Sequence, residues 1–135
     1  MKGSNMDKYI QIGEKRVKMA CNALMPRLYR YHFGRDLIVE MRKLSKAYTK
    51  TGENADGSPI YDIDESADFS VAEQITWLML KAGGEDVGET IDEWLGTLES
   101  VGELYELEGA AFDLGRQSEQ TRAKPKKKDG KPLGK

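Results

Sequence analysis

The sequence predicts a mainly α-helical fold: a small single domain of about five helices, with an N-terminal β-hairpin over about residues 9–20 and a disordered basic tail over residues 116–135. Three observations predict it. Apolar residues recur at helical spacing through residues 22–48, 70–82 and 90–115; a short alternating run precedes them; and residues 116–135 carry almost no apolar side chain. A chain of 135 residues with 39% hydrophobic content can bury one core but hardly two, so residues 1–115 are read as one domain.

The alternating run is Tyr9-Ile10-Gln11-Ile12, then Gly13-Glu14-Lys15-Arg16 as a four-residue turn, then Val17-Lys18-Met19. An isolated hairpin is marginal in water, so Ile10, Ile12, Val17 and Met19 are expected to lie on the helices. Two consecutive helices follow. Leu24, Leu28 and Tyr31 mark the first, and Leu37, Ile38, Met41, Leu44 and Tyr48 the second. Asn22 can cap the first helix, Pro26 is tolerated in its opening turn, and Gly34 supplies a left-handed end. Arg35-Asp36 is expected to form a local ion pair or cap. Residues 49–66, with Gly52, Asp56-Gly57 and Pro59 as breakers, are read as a long mobile loop.

Ser70 and Glu73 have the form of a capping box, with Asp68 as the alternative cap, and open what is expected to be the central core helix, ending at Gly83-Gly84. Thr90 and Glu93 form a second box before a short helix that turns Trp94, Leu95 and Leu98 inward. The last helix, about Val101–Gly115, has Leu104, Leu107, Ala111 and Leu114 on one strip and Tyr105 and Phe112 on an adjoining one. Two apolar strips on one terminal helix imply that one of them meets another molecule.

The net charge of -2 hides an asymmetry: residues 1–115 hold 13 Lys+Arg against 21 Asp+Glu, and the tail holds eight against two. The single cysteine, Cys21, permits neither an intrachain disulfide nor a cysteine-only metal cage and fits a reducing compartment. With a polar start and no apolar run of membrane-spanning length, a soluble intracellular protein without membrane attachment is expected.

No catalytic, cofactor-binding or metal-ligating set is expected. The single histidine, His32, sits between Tyr31 and Phe33 at a helix end, where a capping or core role suffices. Cys21 has no histidine placed to activate it. Asp62, Asp64, Glu65 and Asp68 lack the glycine and spaced glutamate of a calcium loop, and no phosphate-cradling glycine motif is present. The tail's cations could attract nucleic acid. It has no aromatic residue to stack on a base, however, and the body is acidic, so a small nucleic-acid-associated phage or bacterial regulator is the secondary reading.

Several segments together carry a family likeness: the hairpin Ile10 to Lys18, the run Pro26 to Asp36 with Leu28-Tyr29-Arg30 and Phe33-Gly34-Arg35-Asp36, the apolar helix ending Ala82-Gly83-Gly84, the segment Thr90 to Leu95, and the lysine-rich end. Over about residues 9–128 the chain resembles the tail assembly chaperones of long-tailed bacteriophages and prophages of Gram-positive bacteria. It departs from them in the last helix, where Leu104-Tyr105-Glu106-Leu107 and Phe112 stand where the family often has tryptophan.

The resemblance implies a non-enzymatic protein of the host bacterial cytoplasm, absent from the mature virion. Such a protein binds the coiled-coil-prone tape measure protein, keeps it soluble and promotes assembly of the tail tube protein around it. In many such phages a frameshifted longer form recruits the tube protein, and Lys126-Lys127-Lys128 is compatible with an A-rich slippery string. Self-association into a homo-oligomer stays open. From the residues, the candidate partner-binding set is Trp77, Trp94, Tyr105 and Phe112, apolar anchors of the kind that receive an amphipathic helix, with Tyr29 and Arg30 on the exposed side of the first helix.

Overall fold

Seven residues on each side of a tight turn begin the fold. In the computed structural model, which describes residues 6–119, strands β1 (Met6–Ile12) and β2 (Lys15–Cys21) pair antiparallel from Met6↔Cys21 to Ile12↔Lys15. The turn is the two residues Gly13 and Glu14, not four. Gly13 takes φ 59°, the left-handed value that a tight hairpin turn requires and glycine supplies freely. Met19, Ala20 and Cys21 are buried, while Ile10, Ile12 and Val17 are half-buried against the core.

Helix α1 (Met25–Phe33) follows an Asx turn in which Asn22 Oδ1 accepts the Leu24 N–H at 2.9 Å. Gly34 ends it at φ 72°. The buried side of α1 is Met25 and Tyr29 rather than the expected Leu24 and Tyr31, which are 52% and 82% exposed. The helix is turned so that its bulkiest core residues face α3 and the Tyr29 hydroxyl can donate to Gln74 Oε1 at 2.7 Å. Asp36 caps α2 (Leu37–Lys46) by accepting the Val39 N–H at 3.0 Å. Arg35 does not pair with it: its guanidinium reaches Asp68 at 3.0 Å, Gln74 at 2.7 Å and Glu40 at 3.6 Å, tying the α1–α2 junction to the start of α3.

The expectation of a mainly α-helical chain is corrected here. Five helices make up 49% of the structure, and two two-stranded antiparallel sheets another 21%, so the fold is mixed α and β. The second sheet spans residues 48–63: it takes Tyr48, expected on the second helix, and most of residues 49–66, read from the sequence as a mobile loop. Strand β3 (Tyr48–Glu53) pairs with β4 (Pro59–Ile63) around a turn at Asn54–Ser58, with an irregular register between Lys50 and Gly52. Gly57 at φ 90° and the Asp56 carboxylate, which accepts the Ser58 N–H, shape that turn. Asp-Gly between β-branched and aromatic residues is a hairpin signal, and it outweighed the breakers. Both faces of this hairpin are largely exposed.

Helix α3 (Ser70–Ala82) is the centre: Val71, Ala72 and every residue from Ile75 to Leu80 are buried. Its N-cap residue is Phe69, and the Ser70 N–H and hydroxyl both bond to Asp68, so the Ser70 capping box does not form. Helix α4 (Ile91–Leu95) has the expected Thr90–Glu93 box and buries Trp94. Helix α5 (Val101–Ser118) is capped by Ser100, runs three residues past Gly115, and packs on α3 and the first hairpin. The expected disordered tail falls on residues 116–135, of which 120–135 lie outside the described residues.

At the end of α3 the structure is tight. Gly83 has ordinary right-handed geometry, but a Cβ there would sit 2.2 Å from the Lys18 carbonyl oxygen of β2. Gly83→Ala must therefore displace backbone and is expected to lower stability by about 1–3 kcal/mol, read as a lower denaturation midpoint with unchanged slope.

Candidate functional site

Helix α5 has two sides. Its inner side, Leu107, Ala111 and Leu114, is buried against the core; its outer side carries Tyr105, 65% exposed, and half-buried Phe112. Two hollows run along that outer side. One, of about 670 Å³, lies between α5, the edge of the first hairpin at Ile10, and Tyr48 and Tyr61. The other, of about 770 Å³, lies between α5, Ile63 and Phe69. They share Tyr48, Tyr105, Gly109 and Phe112 and so form one groove. From Leu104 to Arg116 its floor follows roughly 18 Å of helix axis, about three turns.

The second hairpin forms one wall of the groove. Tyr48 meets Tyr61 and Phe69 edge to face, each at a centroid distance of 6.0 Å. Ile60, Tyr61 and Ile63 are 42–50% exposed. Contiguous apolar surface on a hairpin with little core beneath it marks an interaction surface rather than scattered exposure.

Three carboxylates line the groove without an ion-pair partner among the described residues: Glu106 in the first hollow, and Glu73 and Glu108 together in the second. Among the described residues neither Glu73 nor Glu108 makes an ion pair. Burial, reinforced by Glu73 nearby, pushes Glu108 up to about 7. Glu73 is raised in the same direction by burial, then by Asp92 and Asp68, and the Tyr48 hydroxyl by burial, then by Glu108 and Tyr105. The cations on the groove wall, Lys8 and Arg116, both pair with Asp113, about one and a half turns from Glu108 along α5.

Gly109 lies at the centre of the floor, in the interior of an 18-residue helix. An added Cβ there meets nothing within 4 Å, and the residue has no left-handed φ. Gly115 on the same helix is different: its Cβ would lie 2.6 Å from the Met41 methyl, so packing within the chain explains it. Among the described residues nothing explains Gly109, although an interior glycine costs a helix about 1 kcal/mol relative to alanine.

Of the six residues proposed from the sequence, the structure brings two together here, Tyr105 and Phe112. Tyr29, Trp77 and Trp94 are in the core at 0%, 3% and 4% exposure and offer a partner no surface. The Trp77 indole N–H donates to the Val87 carbonyl at 3.2 Å. Arg30 is exposed on α1 away from the groove. Sequence reasoning missed Tyr48, Tyr61, Ile63, Glu73, Glu108 and Gly109. The hairpin signal at Asp56-Gly57 could have revealed the wall, whereas the unpaired state of the carboxylates appears only in three dimensions.

Elsewhere, His32 is exposed among rings, 5.4 Å from Trp77 and 5.9 Å from Phe33. The Cys21 thiol is buried, 3.2 Å from the Ser118 hydroxyl, and burial pushes its titration up. Among the described residues no group of His, Cys, Asp or Glu is arranged to hold a metal ion, and no helix is long and apolar enough to cross a membrane. The chemistry the groove offers is burial of apolar side chains beside an uncompensated negative charge. Comparison with protein-family models, curated proteins and solved structures finds no match to the chain.

Two measurements probe the groove without a partner. Glu108 titrates higher folded than unfolded, so the folded chain retains a proton that the unfolded chain releases between about pH 4.5 and 7. This contribution favours the fold at the acid end and is lost as pH rises through about 7. Carboxylates held low, such as Asp68 and Glu103, lose stability only below their ordinary range. Melting temperature is therefore expected to fall from about pH 5 to about pH 8, and Glu108→Gln to flatten that fall. Gly109→Ala is expected to stabilise the fold by up to about 1 kcal/mol, read as a higher denaturation midpoint.

Proposed function

We propose that this protein is a tail assembly chaperone of a long-tailed phage or prophage, which holds an apolar helical segment of the tape measure protein in the α5 groove and does no catalysis. The observation that carries the reading is the groove itself: exposed Tyr48, Tyr61, Ile63 and Tyr105 line a channel about three turns long beside the second apolar strip of α5. A long, coiled-coil-prone partner exposes amphipathic helices until it is enclosed, and shielding them needs apolar anchors rather than a reactive centre. The sequence likeness over about residues 9–128 supports the same role and supplies the identity of the partner. On this reading the protein works in the host cytoplasm and leaves before the virion is complete.

The test is co-expression with the tape measure protein encoded beside it. The wild-type chain should keep that partner in the soluble fraction and co-purify with it. Tyr105→Ser combined with Ile63→Ser removes two exposed anchors and should reduce recovery of the complex at least about tenfold while the melting temperature changes little. Equal recovery with the double variant would remove the groove from the reading; no rescue by the wild type would remove the reading itself.

A further inference from the structure

The groove is more selective than an apolar channel need be. Glu73 from α3 and Glu108 from α5 line it beside Tyr48 from β3 and Tyr105 from α5, and among the described residues no cation pairs with either carboxylate. Its floor has a bare backbone at Gly109, which no contact among the described residues requires. Each feature disfavours the isolated chain, and one kind of occupant relieves both.

Resting on the helix-holding reading above, we infer that the groove takes an amphipathic helix of another protein, one that sets a small residue against Gly109 and extends a lysine or arginine to the Glu73–Glu108 pair. A glycine on one helix lets a second backbone come close, and close approach along three turns brings a flanking cation within reach of Glu108, one position along the floor, and of Glu73 beside it on α3. Excluding water on docking strengthens that attraction, and the incoming cation, not the added burial, favours the ionised form of Glu108.

The chain's other candidate occupants fit less well. A second copy meeting through this face would bring Glu106, Glu108 and Asp113 against acidic residues of the same set. Residues 120–135 supply cations but only Leu133 as a large apolar side chain, too little to fill hollows of about 670 and 770 Å³.

The experiment uses the full-length chain and fluorescent amphipathic peptides of roughly 18 residues, long enough to hold helix on binding. Each has leucines at helical spacing, a central alanine, and lysine, glutamine or glutamate one turn from it. By anisotropy at about pH 8 the lysine peptide should bind at least about tenfold more tightly than the glutamate peptide. That ratio should shrink to about twofold near pH 5.5 as Glu108 takes up its proton, and should approach one in Glu73→Gln/Glu108→Gln. Gly109→Leu should weaken every peptide at least about tenfold without lowering the melting temperature.

The inference is overturned if no peptide binds, if the three bind alike, or if either variant binds as the wild type does. It is also overturned if Lys126→Gln/Lys127→Gln/Lys128→Gln tightens binding more than about fivefold, which would make the chain's own tail the occupant, or if the free protein forms a dimer that Gly109→Leu abolishes. The peptides require no tape measure protein. The expected pattern without capture of that protein would retire the functional reading and leave this inference standing; capture without the pattern would do the reverse.

Discussion

Burial of α3 on nearly every side is the constraint on which the rest of the molecule depends. A helix satisfies its own backbone hydrogen bonds, so it can be surrounded by apolar groups without orphaning polar ones, and α3 uses this from Val71 to Leu80. Even its buried threonine is satisfied internally, the Thr76 hydroxyl donating to the Ala72 carbonyl at 2.7 Å. Every neighbour then has a fixed task. The first hairpin covers one side with Met19, α1 and α2 cover another with Met25, Tyr29 and Met41, and α5 closes the rest with Leu107, Ala111 and Leu114. Arg35 fixes the entry to α3 by bonding Asp68 and Gln74 together. Because three sides of α3 take so much of the available apolar surface, the second hairpin is left with little core of its own.

How much of this could be read from the sequence depended on whether the signal was local. Gly34, Pro26 and the Thr90–Glu93 box act through their immediate neighbours, and the structure has them where the residues indicate. The phase of α1 was not legible, because Leu24, Leu28 and Tyr31 form as good a stripe as Met25, Tyr29 and Phe33. What chooses between them is Gln74, 45 residues away, which receives the Tyr29 hydroxyl. The same error of phase placed Tyr29 on the surface. Trp77 and Trp94 were offered to a partner because large aromatics are frequent anchors, but on a helix buried all round, and beside Val87, they are core. The second hairpin was lost by weighing Gly52, Gly57 and Pro59 as breakers when two of the three serve a turn or begin a strand.

The candidate site was half legible for a related reason. A helix with two apolar strips states that it has two neighbours, and Tyr105 and Phe112 were identified on that ground alone. The wall facing them belongs to a hairpin that only tertiary structure puts there, and the charge in the groove matters because, among the described residues, Lys8 and Arg116 pair with Asp113 and leave Glu73 and Glu108 without a cation.

A protein that needed only stability would not keep this arrangement. Alanine at Gly109 would strengthen α5 with no clash, and a glutamine at Glu108 would remove a half-buried charge that the fold leaves uncompensated. Neither change touches the core, and both are available by single substitutions. Proteins hold sites below their stability optimum where function depends on the strained or uncompensated group. The two departures lie one residue apart on the exposed side of a single helix, in a groove walled by unburied tyrosine and isoleucine, so a common cause is the economical account. The helix inferred to fill the groove would supply that cause.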